Sequence, residues 1–193
     1  MIYMRSSKSF MKLIFFAIGL CISGNLFSQE FIVTAGGLRN RTDTSKKFVM
    51  IGIGNHSAKQ LYDQTLRYIA VHYEDSGKAI RARWDTVDLM FDTYVYDFLV
   101  YNNTGARLGI EARYTTEMRF YPDSVRYEII FLDMKGQASN YRLLFKGKWL
   151  KSYIVFKENG KLFKPQTKAD IENHFNDELY RITQFLKQDP NGG

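Results

Sequence analysis

The 193-residue chain has 27 Lys and Arg against 20 Asp and Glu, a formal charge of +7, with 16% aromatic residues and one cysteine. Arg5, Lys8 and Lys12 fall in the N-terminal leader, and the excess left without them, about +4, is too small to argue for nucleic acid. Cys21 falls there too, so the rest of the chain has no disulfide, no thiolate zinc ligand and no cysteine nucleophile.

Residues 1–28 read as a secretory signal: basic residues, an apolar run from Leu13 to Ile22, then small and polar residues up to Ser28. The run is about half the roughly 20 residues a spanning helix needs, so no anchor is expected after cleavage. Met11 opens a complete short signal of its own and is an alternative start. Leu20 stands where a lipobox wants a small residue before Cys21, which argues against a lipid anchor. The expected location is periplasmic or secreted.

Residues 29–46 read as a flexible arm, and 47–188 as the folded domain. KFVMIGIG, 47–54, is the first expected strand. Gly52-Ile-Gly54-Asn-His-Ser57 resembles a dinucleotide loop but has serine in place of the third glycine, so an ordinary strand-to-helix turn is expected. Ser57 and Gln60 form a capping box, and the helix from Ala58 to about Glu74 is amphipathic. Strands are expected at 79–84, 87–91 and 93–101, the last with Tyr94, Tyr96, Phe98 and Val100 on one side.

GIEARYTTEMRFYPDSVRYEIIFLDM, 109–134, reads as a long hairpin around Pro122-Asp123. Parity requires an even loop if Tyr127, Ile129 and Phe131 are to share a face with Met118 and Phe120. A four-residue loop at 122–125 is favoured, because it sets Arg119 opposite Glu128 instead of Arg126. A strand at 139–145 follows, and 146–166 has no clear assignment. The last helix is expected to start at Thr167 as cap and to bury Ile171, Phe175, Leu179, Ile182 and Leu186. A disordered tail, 189–193, ends the chain.

The expected class is α+β: a curved, mainly antiparallel sheet with two amphipathic helices on one face, in β-α-βn-α order. LYDQTLRYIAVHYED, ARYTTEMRFYPDSVRYEIIFLDM and IENHFNDELYRITQFLK resemble an uncharacterised family of exported bacterial proteins described as TBP-like. The resemblance implies that both helices share one sheet face and leave the other open. It implies no activity, catalytic residue or cofactor.

The alternating hairpin then places Glu111, Arg113, Glu117, Arg119, Arg126 and Glu128 on the open face, a candidate interaction surface of mixed sign. Lys146, Lys148 and Lys151 begin a lysine-rich edge, for which anionic headgroups or glycans are the alternative to plain solvation. His56, His72 and His174 have no ligand spacing; His72 and His174 are expected as hydrogen-bonded core residues. Asp85, Asp88, Asp92 and Asp97 do not match a calcium loop and read as a solvated strand face. No metal, cofactor or nucleophile–base set can be named. The expected role is a non-catalytic, exported ligand- or partner-binding domain of the cell envelope. The alternative is a carrier of a lipid or other apolar molecule, with a cavity near Tyr68 and His72.

Overall fold

A computed structural model of the chain describes residues 30–103, 106–137, 141–148 and 153–188, with the side chains of 101–103 and 106–107 excepted. The signal segment, the tail and residues 149–152, Lys151 among them, lie outside the described residues. The chain is a single α+β domain. Its main sheet is antiparallel, with β3 (Phe48–Gly52), β7 (Ser124–Gly136), β6 (Ala106–Tyr121), β5 (Asp88–Asn103) and β4 (Ile80–Trp84) in that spatial order. Two small sheets flank it: an N-terminal hairpin, β1 (Phe31–Thr34) with β2 (Gly37–Asn40), and a parallel pair, β8 (Leu143–Gly147) with β9 (Tyr153–Lys157).

Helix α1 (Ala58–His72) starts as expected: the Ser57 hydroxyl accepts from the Gln60 backbone N–H, while Gln60 Oε1 accepts from Ser57 N at 2.8 Å. A single turn, α2 (Ser76–Ala79), leads into β4. Helix α3 (Pro165–Lys187) begins before the expected Thr167 cap. Pro165 supplies the fixed φ of a first turn, and Thr167 is buried instead of capping.

Both long helices pack on one face of the sheet. Tyr62 of α1 meets Phe120 edge-on at 5.5 Å, and Phe175 of α3 meets Tyr114 at 5.2 Å. Phe120 and Tyr114 are on the same side of β6, as period-2 alternation demands. Ile110, Ala112, Thr116 and Met118 are buried with them, below Leu61, Ile69, Ile171, Phe175 and Ile182. Each large apolar side chain buried this way contributes about 1.5–3 kcal/mol.

Several expectations are corrected. Residues 31–40 are a docked hairpin, not a flexible arm. Phe31, Val33 and Leu38 are buried, and α3 clamps the backbone: Asn176 Oδ1 accepts from Phe31 N at 2.8 Å, and Glu172 Oε1 accepts from Val33 N at 2.7 Å. The folded unit therefore begins before residue 47.

The β6–β7 loop has two residues, not four. Tyr121 pairs with Ser124, which sets Glu117 opposite Glu128 and Arg119 opposite Arg126. Tertiary bonds outweigh that like-charge register. Asp123 O accepts from Ile53 and Gly54, its N–H donates to His56 O, and its carboxylate accepts from His56 N at 2.9 Å. Asp123 takes φ +61 for this, a left-handed conformation that Asp tolerates.

Phe131 is on the open face. Thr116 pairs with Ile129 but Thr115 pairs with Phe131, so Ile130 is a bulge and the alternation inverts beyond it. Phe131 is 49% exposed, while Leu132 and Met134 turn to the core. A second register shift, between Val95 and Leu99 on β5, separates the tyrosines from the residues expected beside them. Tyr94 and Tyr96 are exposed, but Phe98 and Leu99 are buried. The expected strands at 87–91 and 93–101 are one continuous β5.

Candidate functional site

The sheet face opposite the helices carries the charged residues of β4 to β7 side by side. Strand alternation brings together the six named from sequence, Glu111, Arg113, Glu117, Arg119, Arg126 and Glu128, with partners that sequence did not join to them. Arg119 makes two bonds to Asp88, at 2.7 and 3.0 Å. Arg126 sits between Glu117, at 3.3 Å, and Glu128, and its guanidinium lies 4.5 Å from the centre of the Phe48 ring. Arg113 and Arg81 both approach Asp92, whose Oδ1 also accepts from the buried Thr115 hydroxyl at 2.6 Å. Asp88 and Asp92 thus serve as counter-ions and are not merely a solvated face.

A cleft of about 430 Å³ opens on this face, lined by Tyr94, Glu111, Arg113, Asp133 and Lys135. The register explains it: Tyr94 is opposite Arg113, Arg113 opposite Asp133, and Glu111 opposite Lys135, so three strands supply one floor. The Tyr94 phenol donates to Glu111 at 2.7 Å, and Lys135 reaches the other Glu111 oxygen at 2.9 Å. These two partners hold the Glu111 carboxyl below its ordinary range. Arg113 and Tyr94 are 66% and 58% exposed, the first by its side chain, so cation and ring are both available to a ligand. Tyr94, Asp133 and Lys135 complete a group of which Glu111 and Arg113 were foreseen on the open face. The missing signal was inter-strand register, which a sequence pattern does not contain.

A second polar group lies under α3. Glu178 is buried, accepts from the Tyr114 hydroxyl at 2.6 Å, and has no paired cation among the described residues. Burial pushes its carboxyl up, against the pull of the Tyr114 and Tyr127 hydroxyls. The Tyr127 and Thr116 hydroxyls are buried beside it without hydrogen bonds of ordinary geometry. His174 packs its ring edge-on against Phe98 at 4.6 Å, and burial lowers its pKa to about 4. It is held neutral at pH 7, in keeping with a packed core histidine. His72 differs: it is exposed at the end of α1, where it stacks on Tyr68 at 4.2 Å. His56 binds the loop carbonyl of Gly54.

A shallower cleft of about 340 Å³ lies over α3, lined by His174, Asp177, Tyr180 and Arg181. Neither cleft lies between helices and sheet near Tyr68. There the space is filled by Leu61, Ile69, Phe185 and Leu186, with Phe185 edge-on to Tyr68 at 5.4 Å. Lys146 and Lys148 are exposed on or beside β8, with Glu158 3.8 Å from Lys148. Among the described residues, no group of three or more His, Cys, Asp or Glu is placed to hold a metal ion. None of their helices is long and apolar enough to cross a membrane.

No family model matches the chain, and no curated protein matches it. A solved structure is similar, the crystal structure of a DUF4468 family protein from Bacteroides ovatus. It shares 13% identity over 76% of this chain and 87% of that one, with a TM-score of 0.49.

Proposed function

We propose that this protein is a non-catalytic, exported binding domain of the cell envelope, and that the open sheet face is its working surface. The observation that carries this reading is the Tyr94–Glu111–Arg113–Asp133–Lys135 cleft. It sets an exposed phenol ring among carboxylates and cations, with Glu111 held between Tyr94 and Lys135. A ligand there meets both signs of charge within one cleft, which suits a bipolar polar group such as a peptide segment. A free phosphate meets Glu111 and Asp133 as well as Arg113. The signal-like leader, residues 1–28, supports export.

The test is native mass spectrometry of the exported protein, purified without detergent, beside the Arg113→Ser/Lys135→Ser double variant. An extra mass present in the parent and lost from the variant supports the site. An extra mass that survives the double substitution contradicts it. Replacing Arg119 or Arg126 is a poorer test, because each neutralises carboxylates within the sheet.

A further inference from the structure

We infer that the exposed turn after β9, residues 157–164, is a docking surface for the anionic headgroup layer of a lipid bilayer. This goes beyond the open sheet face and uses none of the residues of the cleft. After Lys157 the chain reverses at Asn159-Gly160, where Gly160 takes φ +81 and its N–H donates to Lys157 O at 2.8 Å. It then returns along β9: Phe156 bridges Leu162, and Phe163 N donates to Val155 O at 2.9 Å. Every residue from Lys157 to Gln166 is exposed.

That register sets Lys157 opposite Lys161, a like-charge pair that a sheet disfavours. Lys164 joins them: its ammonium and that of Lys157 lie 5.4 and 5.2 Å from the centre of the Phe163 ring. None of these three lysines has a carboxylate partner among the described residues. Glu158, the one acid of the turn, faces Lys148 at 3.8 Å instead. Helix α3 starts here too, with Lys164 as its N-cap and no acid in its first turn, so its dipole adds to the positive field. The contrast with the main sheet is plain. There Arg119 is opposite Arg126, but Asp88, Glu117 and Glu128 neutralise the pair. The turn therefore fits an anionic partner.

Leu162 and Phe163 decide which kind. They are 40% and 38% exposed, side by side among those lysines. Lysines that merely guard a strand edge against pairing have no use for an exposed Leu-Phe pair. A soluble phosphate or a sulfated glycan meets the ammonium groups and leaves both apolar side chains in water. A bilayer surface meets both needs. Its phosphates reach the lysines, and the apolar pair enters the layer beneath while the lysine stems snorkel outward.

The test is flotation of the exported protein with vesicles of phosphatidylcholine, alone or with one-third phosphatidylglycerol. At low salt the protein is expected to bind the anionic vesicles about a hundredfold better than the neutral ones, and to be released as salt rises to about 0.5 M. Lys157→Gln/Lys161→Gln/Lys164→Gln lowers that binding about a hundredfold, since each lysine at such a surface is worth about fivefold. Leu162→Ser/Phe163→Ser lowers it about tenfold with every lysine in place. No binding to anionic vesicles, or equal binding to neutral ones, would overturn the inference without recourse to any variant. Undiminished binding by the lysine variant would overturn it as well. Undiminished binding by the Leu162/Phe163 variant would do so in favour of a polyanion site, and release by millimolar inorganic phosphate at constant ionic strength in favour of a free-anion site. Arg113→Ser/Lys135→Ser floats like the parent, so failure of the cleft and failure of this turn are separable.

Discussion

The Tyr114 hydroxyl on β6 donates to the Glu178 carboxylate on α3 at 2.6 Å, with both residues buried between helix and sheet. His174, one turn earlier on the same helix, is 3.4 Å from the same hydroxyl. The two ionisable groups respond to pH in opposite senses. His174 is depressed to about 4 from an ordinary 6.5, so the unfolded chain binds the extra proton between those values. Stability that is complete above pH 6.5 is therefore lost as pH falls towards 4, by at most about 3 kcal/mol. Glu178 is raised, so its unfolded form ionises first and stability declines as pH rises above about 4.5. Urea unfolding across pH 4–8 is expected to show His174→Phe flattening the acid-side loss. Glu178→Gln is expected to flatten the loss on the other side.

Arg126 and Arg113 lie on the same face but differ in burial. Arg126, with 22% of its side chain exposed, holds Glu117 and Glu128 together; Arg113, 66% exposed, faces one partner. Arg126→Ala leaves two half-buried carboxylates opposed and is expected to cost about 3 kcal/mol or more. Arg113→Ala is expected to cost under about 1 kcal/mol. Chemical denaturation of the two single variants checks the order.

The N-terminal hairpin is part of the core. A chain starting at residue 41 loses Phe31, Val33 and Leu38 and leaves the Ile171–Phe175 side of α3 uncovered. Three such side chains stabilise by roughly 5 kcal/mol together, comparable with the whole stability of a small domain. Thermal unfolding is expected to show a fall of well over 10 °C or an insoluble product. An unchanged midpoint would restore the flexible arm.

Deleting Ile130 removes the bulge without moving either half of the hairpin to the wrong face. The ladder then runs unbroken from Thr116–Ile129 to Thr115–Phe131. The variant is expected to fold, with a melting temperature within about 5 °C of the parent. Deleting Met118 from β6 flips one half of the same hairpin and is expected to prevent folding. Circular dichroism melts of both deletions separate the two cases.

Local rules were legible in the chain. Ser57 and Gln60 define the start of α1 without help from elsewhere, and the five-residue stripe of α3 is a one-helix pattern. The alternation of β6 was readable because one strand face carries no charge and is apolar apart from Thr116 and the Tyr114 hydroxyl. Ile130 was not readable as a bulge: in an unbroken Ile-Ile-Phe-Leu run, apolar character has no phase to lose. The short loop at Pro122-Asp123 depends on bonds to residues 53–56, distant in sequence. Glu178 could have been found, since it falls between Phe175 and Leu179 on the buried arc of its helix. The cleft could not, because Tyr94, Glu111 and Asp133 meet only through the register of three strands.

The most direct test of the open face as the working surface is photo-crosslinking in cells that export the full chain. A benzophenone amino acid is placed at Tyr94, on that face, or at Tyr180, on exposed α3. The account predicts a specific adduct from position 94 that disappears with Arg113→Ser/Lys135→Ser. An adduct from position 180 with none from 94 would contradict it.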